Sequence, residues 1–188
     1  MSEHHAIATM PTDESLGFTQ PPEHTFRGIE AATALPRGYA NRAQVSGVNI
    51  VLIDTFQQTE VDPADESGVS LVRYGMTEQF SGGVTGTGTA SHVSVVRKDG
   101  TSTFTGIERI VGTVGGRQGS FVITDAGYHD RHNMAHGRWT VVAGSGTGEL
   151  TGLRGEGEFT VAIEGPGGPL SIYTLTYWFE EEDEQGAA

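Results

Sequence analysis

A glutamate in the middle of an apolar strand is the most chemically suggestive feature of this sequence. In "STFTGIERIVGTV" (102–114), a two-residue period puts Glu108 on one face with Phe104, Gly106 and Ile110, so a carboxyl interrupts an otherwise apolar row. A carboxyl on such a face has a raised pKa and can serve as a general acid or base. A structural reading stands beside this one, in which Glu108 is latched by Arg73, Arg109 or Arg154. His92 shares its face with Ala90 and Ser94. An imidazole there can shuttle protons near neutral pH, or it can be an ordinary satisfied or surface histidine. In "GVNIVLIDTF", Asn49 and Asp54 fall on opposite faces, and Asn49 alternates with Val51 and Ile53. Facing inward, Asn49 can donate to an enolate or alkoxide oxygen, or it can plug one end of the fold. Glu108, His92 and Asn49 are the candidate catalytic residues.

The candidate ligand-contacting residues are Arg73, Tyr74, Tyr128, Trp139, Tyr173 and Tyr177. The aromatics among them can wrap an apolar molecule and offer hydroxyls for orientation, or they can be plain core. Tyr173 and Tyr177 share a face with Leu175 and Phe179, which marks that row for burial. His129, His132 and His136 in "YHDRHNMAHG", with Asp130, match no zinc spacing, so no metal site is assigned. The glycine-rich runs match neither the dinucleotide nor the P-loop fingerprint, and no GxSxG elbow occurs. No cofactor is expected.

These residues must be positioned by strands. Apolar and β-branched runs fall near 47–56, 69–80, 84–97, 102–114, 118–125, 136–143, 154–164 and 170–180, separated by turns such as "RKDGTS" and "EGPGGPL". Eight consecutive strands with short connections predict an all-β, eight-stranded antiparallel up-and-down barrel, or failing that a sandwich; a barrel of eight strands has an interior that just admits side chains or one small ligand. The alternating Gly144, Gly146 and Gly148 would strip one face of a strand and bring another backbone or a ligand close. Residues 1–45 read as an irregular N-terminal arm, flexible or capping, 46–180 as the barrel, and 181–188 as an acidic tail.

The 188 residues carry a formal net charge of −13, which disfavours nucleic acid and anionic lipid as partners. With no cysteine there is neither a disulfide framework nor a catalytic thiolate. The N-terminus lacks the basic start and apolar centre of a signal peptide, and no apolar run approaches membrane-spanning length, so a soluble, cytoplasmic protein is expected.

The segments "TGIERIVGTVGGRQGSF" and "WTVVAGSGTGELTGLRGEGEF" closely resemble a bacterial family of unknown function whose fold is like the allene oxide cyclase barrel. The likeness extends from "FSGGVTGTGTASH" to "YTLTYWFE", roughly residues 46–180. It implies a barrel of the allene oxide cyclase-like type with a ligand-sized interior, and supplies no reaction. Where the family has an aromatic and a tryptophan in its first strand, this chain has Asn49 and Asp54, and His92 falls in another departure. The function expected is a cofactor-free cyclase or isomerase that encloses a hydrophobic polyketide, polyene or epoxide, in natural-product biosynthesis. Two alternatives stand beside it: a non-catalytic small-molecule carrier or sensor, and a protein-interaction module with a packed barrel. Homo-oligomerisation is compatible with each.

Overall fold

The computed structural model of the chain describes residues 41–45, 49–162 and 170–180. Most of the expected arm and the whole acidic tail lie outside the described residues. Among those described, ten strands form one antiparallel sheet: β1 (Ala43–Gln44), β2 (Ile50–Asp62), β3 (Ser70–Ser81), β4 (Val84–Val96), β5 (Ser102–Val114), β6 (Arg117–His129), β7 (Met134–Val141), β8 (Leu153–Ala162), β9 (Leu170–Tyr173) and β10 (Thr176–Phe179). Strands β2 to β8 pair in chain order, and β9 pairs with both β8 and β2. Eight strands therefore close into a ring. Among the described residues no helix is long and apolar enough to cross a membrane.

The turns follow from their residues. Gly115 and Gly116 both have positive φ, 58° and 83°, as a two-residue hairpin between right-twisted strands requires. The stretch between the expected strands 118–125 and 136–143 is mostly strand: β6 and β7 extend into it and leave a short turn in which Asp130 Oδ1 accepts from the His132 and Met134 amides. Strand β2 also runs beyond the expected 56, because "QQTEVD" lacks apolar alternation yet its backbone pairs with β3. An extra residue, Asp54, bulges out of β2 and changes its parity, so that Ile53 and then Phe56 and Gln58 face inward.

The expected strand 170–180 is broken at Thr174 and Leu175 for a specific reason. The Thr174 carbonyl accepts from Trp139 Nε1 at 2.9 Å, while the Glu158 amide donates to the Thr174 hydroxyl at 3.2 Å. The outer partner of this edge changes across the break as well. Tyr173 N donates to Asn49 O on one side, and Val45 N to Leu175 O on the other.

One end of the ring is sealed by Val84, Ile110, Val114, Phe121, Leu150 and Leu153, all at most 1% exposed. The alternating glycines serve this seal rather than a strand. Residues 142–152 form a connection with a 3-10 turn at Gly148–Leu150 that carries Leu150 inward. A Cβ on Gly146 would lie 1.9 Å from Leu150 O within the connection, and one on Gly119 of β6 1.9 Å from Thr147 O, so glycine lets the connection fold on itself at the first position and lie against β6 at the second.

Candidate functional site

Beyond the sealed end the ring encloses a cavity of about 540 Å³, within the range of small-molecule sites. Its wall is largely apolar and aromatic, including Val51, Met76, Phe80, Ile123, Trp139 and Phe159. Phe80 stacks on Trp139 at 6.3 Å between centroids, and Tyr173 meets Trp139 edge-on at 5.1 Å. The opposite end is bordered by exposed residues, among them Phe56, Gln58 and Gly100. Into this wall are set Glu78, Glu108, His92 and Asp125.

Cross-strand register explains how the four polar side chains meet. Gly106 of β5 lies opposite His92 of β4 on one side and Asp125 of β6 on the other. With no side chain between them, His92 Nε2 reaches the two Asp125 carboxylate oxygens at 2.9 and 3.0 Å. A Cβ on Gly106 would sit 2.1 Å from His92 Cδ2. The same device recurs at Gly88 of β4, which is opposite Glu78 of β3, while Glu108 approaches diagonally from β5. The two carboxyls hydrogen-bond to each other, and a Cβ on Gly88 would lie 1.7 Å from Glu108 Oε1. Farther along, Phe104 and Phe159 meet across Gly127 and Gly137, with centroids 6.2 Å apart.

Burial pushes the Glu108 carboxyl well above the ordinary value, and the nearby carboxyls of Glu78 and Asp125 push it further. Glu78 is also raised by burial, partly offset by its hydrogen bond with Glu108 and by His92. Glu108 is thus the protonated donor and Glu78 the acceptor of a shared proton, since two adjacent buried carboxylates cannot both ionise cheaply. The Asp125 carboxylate accepts from His92 Nε2 and so fixes the tautomer that leaves a lone pair on Nδ1, which has no protein partner. The site therefore presents one proton donor and one proton acceptor. His129, whose Nδ1 pairs with Ser102 Oγ at 2.8 Å, adds an imidazole whose pKa is lowered by burial.

A family model described as "Protein of unknown function (DUF3224)" matches residues 52–177. The chain belongs to the DUF3224 family. A crystal structure of a DUF3224 protein of unknown function from Shewanella oneidensis MR-1 is 28% identical to it, with a TM-score of 0.55 over 74% of this chain and 99% of its own. The pterocarpan synthase dirigent protein PsPTS1 aligns at 12% identity with a TM-score of 0.44, over 75% of this chain and 95% of its own. No curated protein matches the sequence.

Within this DUF3224 chain the candidate residues separate clearly. Glu108, His92, Tyr74, Trp139 and Tyr173 line the cavity. The Tyr173 hydroxyl is already engaged: it accepts from Val84 N at 3.1 Å, so it holds the sealed end together rather than orienting a ligand. Asn49 is buried, but its Oδ1 accepts from Gly83 N at 2.8 Å at that same end, away from the cavity wall. Arg73 is exposed, and neither it, Tyr128 nor Tyr177 lines the cavity; Tyr128 stacks on His136 and Tyr177 packs edge-on against Phe179. Among the described residues no arginine latches Glu108, for Arg73 and Arg109 are exposed and Arg154 pairs with Glu180 at 2.8 Å. Glu78 and Asp125 escaped the sequence reading, although each interrupts an apolar alternation, Tyr74-Met76-Glu78-Phe80 and Phe121-Ile123-Asp125, by the same rule that singled out Glu108. Among the described residues no group of three or more His, Asp or Glu is placed to hold a metal.

Proposed function

We propose that this protein is a cofactor-free isomerase or cyclase, on a barrel of the allene oxide cyclase-like type, that moves protons on a hydrophobic small molecule of polyketide, polyene or epoxide kind. The observation that carries the reading is the placement of two proton-handling pairs, Glu108–Glu78 and His92–Asp125, in the wall of one otherwise apolar cavity of about 540 Å³. Glu108 gives its proton to a developing oxyanion, with Glu78 holding it in position, and His92 Nδ1 accepts a proton from carbon, with Asp125 stabilising the imidazolium. Exclusion of water by the aromatic wall strengthens both steps. A cavity of this size favours the enzyme and carrier readings over a packed interaction module.

The test uses a panel of hydrophobic enolisable ketones incubated with the full chain in deuterated water, followed by mass spectrometry. Wild type is expected to exchange the carbon-bound protons of at least one ketone, with a loss of about 10²–10⁴-fold in Glu108→Gln and in His92→Gln. Binding without exchange would make the protein a carrier. Exchange that survives both substitutions would remove the catalytic assignment.

A further inference from the structure

We propose that the ligand of this cavity carries a positive charge: an apolar protonated amine whose cationic end lies between the two polar pairs and whose body packs on the aromatic wall. This rests on reading the cavity as a small-molecule site and narrows the class of molecule it takes.

The charge inventory of the wall is one-sided. Of the described lining residues, three are carboxylic acids, Glu78, Glu108 and Asp125, and none is lysine or arginine. The arginines on the strands that carry these acids are turned to the outside: Arg73 and Arg109 are exposed, and Arg117 lies over the Phe179 ring, which leaves the imidazoles of His92 and His129 as the basic groups of the wall. An anionic ligand would have to lose its hydration beside the carboxyls with no lysine or arginine as counterion, the His92 imidazole being already engaged by Asp125. A cation meets acceptors instead. Phe80, Trp139 and Phe104 add ring faces to the same wall, and aromatic faces attract organic cations, tryptophan most strongly.

A second, independent feature points to a ligand. Ser94, only 3% exposed, lines the cavity with an Oγ that has no partner in the protein. Buried hydroxyls are nearly always paired, so this one is available to a polar group that enters. Together with the carboxyls it suits an ammonium N–H donor.

The cationic end sits against Glu78 and Asp125, while Glu108 keeps the proton that burial and the neighbouring carboxyls hold on it. The other titratable groups facing this space are Glu78, His92, Asp125, Tyr74, His129 and Tyr173.

Three probes of equal shape separate the possibilities: phenylbutylammonium, phenylbutanone and phenylbutanoate, titrated calorimetrically into the full chain in two buffers of different ionisation enthalpy. Phenylbutylammonium is expected to bind at least about tenfold more tightly than phenylbutanoate, with no net proton release. In the Glu78→Gln/Glu108→Gln double variant, checked for fold by circular dichroism, that preference should fall to within about twofold. If the double variant does not fold, Glu78→Gln alone carries the comparison. Equal or tighter binding of phenylbutanoate overturns the proposal. Binding of phenylbutanone without phenylbutylammonium also overturns it while leaving the proposed function standing, and failure of all three probes removes both.

Discussion

Glu108 has its carboxyl favoured in the protonated form when folded, and this fixes the sign of its effect on stability. Its folded pKa is raised above the ordinary 4.5, so the folded state holds a proton that the unfolded state has already lost. Stability contributed by Glu108 is therefore full below about 4.5 and falls as pH rises through the window up to the raised value. Glu108→Gln should flatten this decline, and melting temperature measured from pH 4 to pH 9 should show the variant gaining on wild type as pH rises; parallel curves would count against a buried, shared proton. The glycines between paired side chains give a second expectation. Gly106→Ala must push His92 off Asp125, at a cost of about 1–3 kcal/mol, with loss of proton exchange equal to that of His92→Gln. Gly75→Ala, where an added Cβ meets nothing within 4 Å, is the control and should stay within about 0.5 kcal/mol. Glu108 and His92 were legible as chemistry because each breaks the pattern of its own strand. Their partners required the register of three strands at once, and that is set by long-range pairing which a one-strand period does not encode.

At the scale of elements, the strands were legible from β-branched runs and glycine turns, and the departures each have a local cause. The β2 bulge at Asp54 changed which residues face inward, and the break at Thr174 arises from an indole on another strand taking a backbone carbonyl. The glycine-rich connection at 142–152 misled because its spacing mimics a strand with one bare face, whereas the glycines admit backbone against backbone. This connection has its own prediction. Leu150 is fully buried among the sealing residues, so Leu150→Ala should cost about 2–5 kcal/mol in chemical denaturation. Because the Glu108 and His92 pairs are held by β3 to β6, their hydrogen bonds should persist in the variant, and its proton exchange below the melting temperature should match wild type.

For the whole molecule, closure depends on β9 filling the gap between β8 and β2, a pairing of segments more than a hundred residues apart. Such closure fixes the wall as a unit, so that side chains from opposite strands share one interior. It also leaves the described ring with a floor at Leu150 and an opening near Phe56 and Gly100. Among the described residues, traffic then runs both ways through this opening. In turnover on the proposed site, departing product and arriving substrate must take turns, so product should inhibit competitively, and a reaction with two organic substrates would load them in fixed order. Initial-rate measurements with added product would reveal this, and noncompetitive inhibition would mean that product also binds outside the cavity.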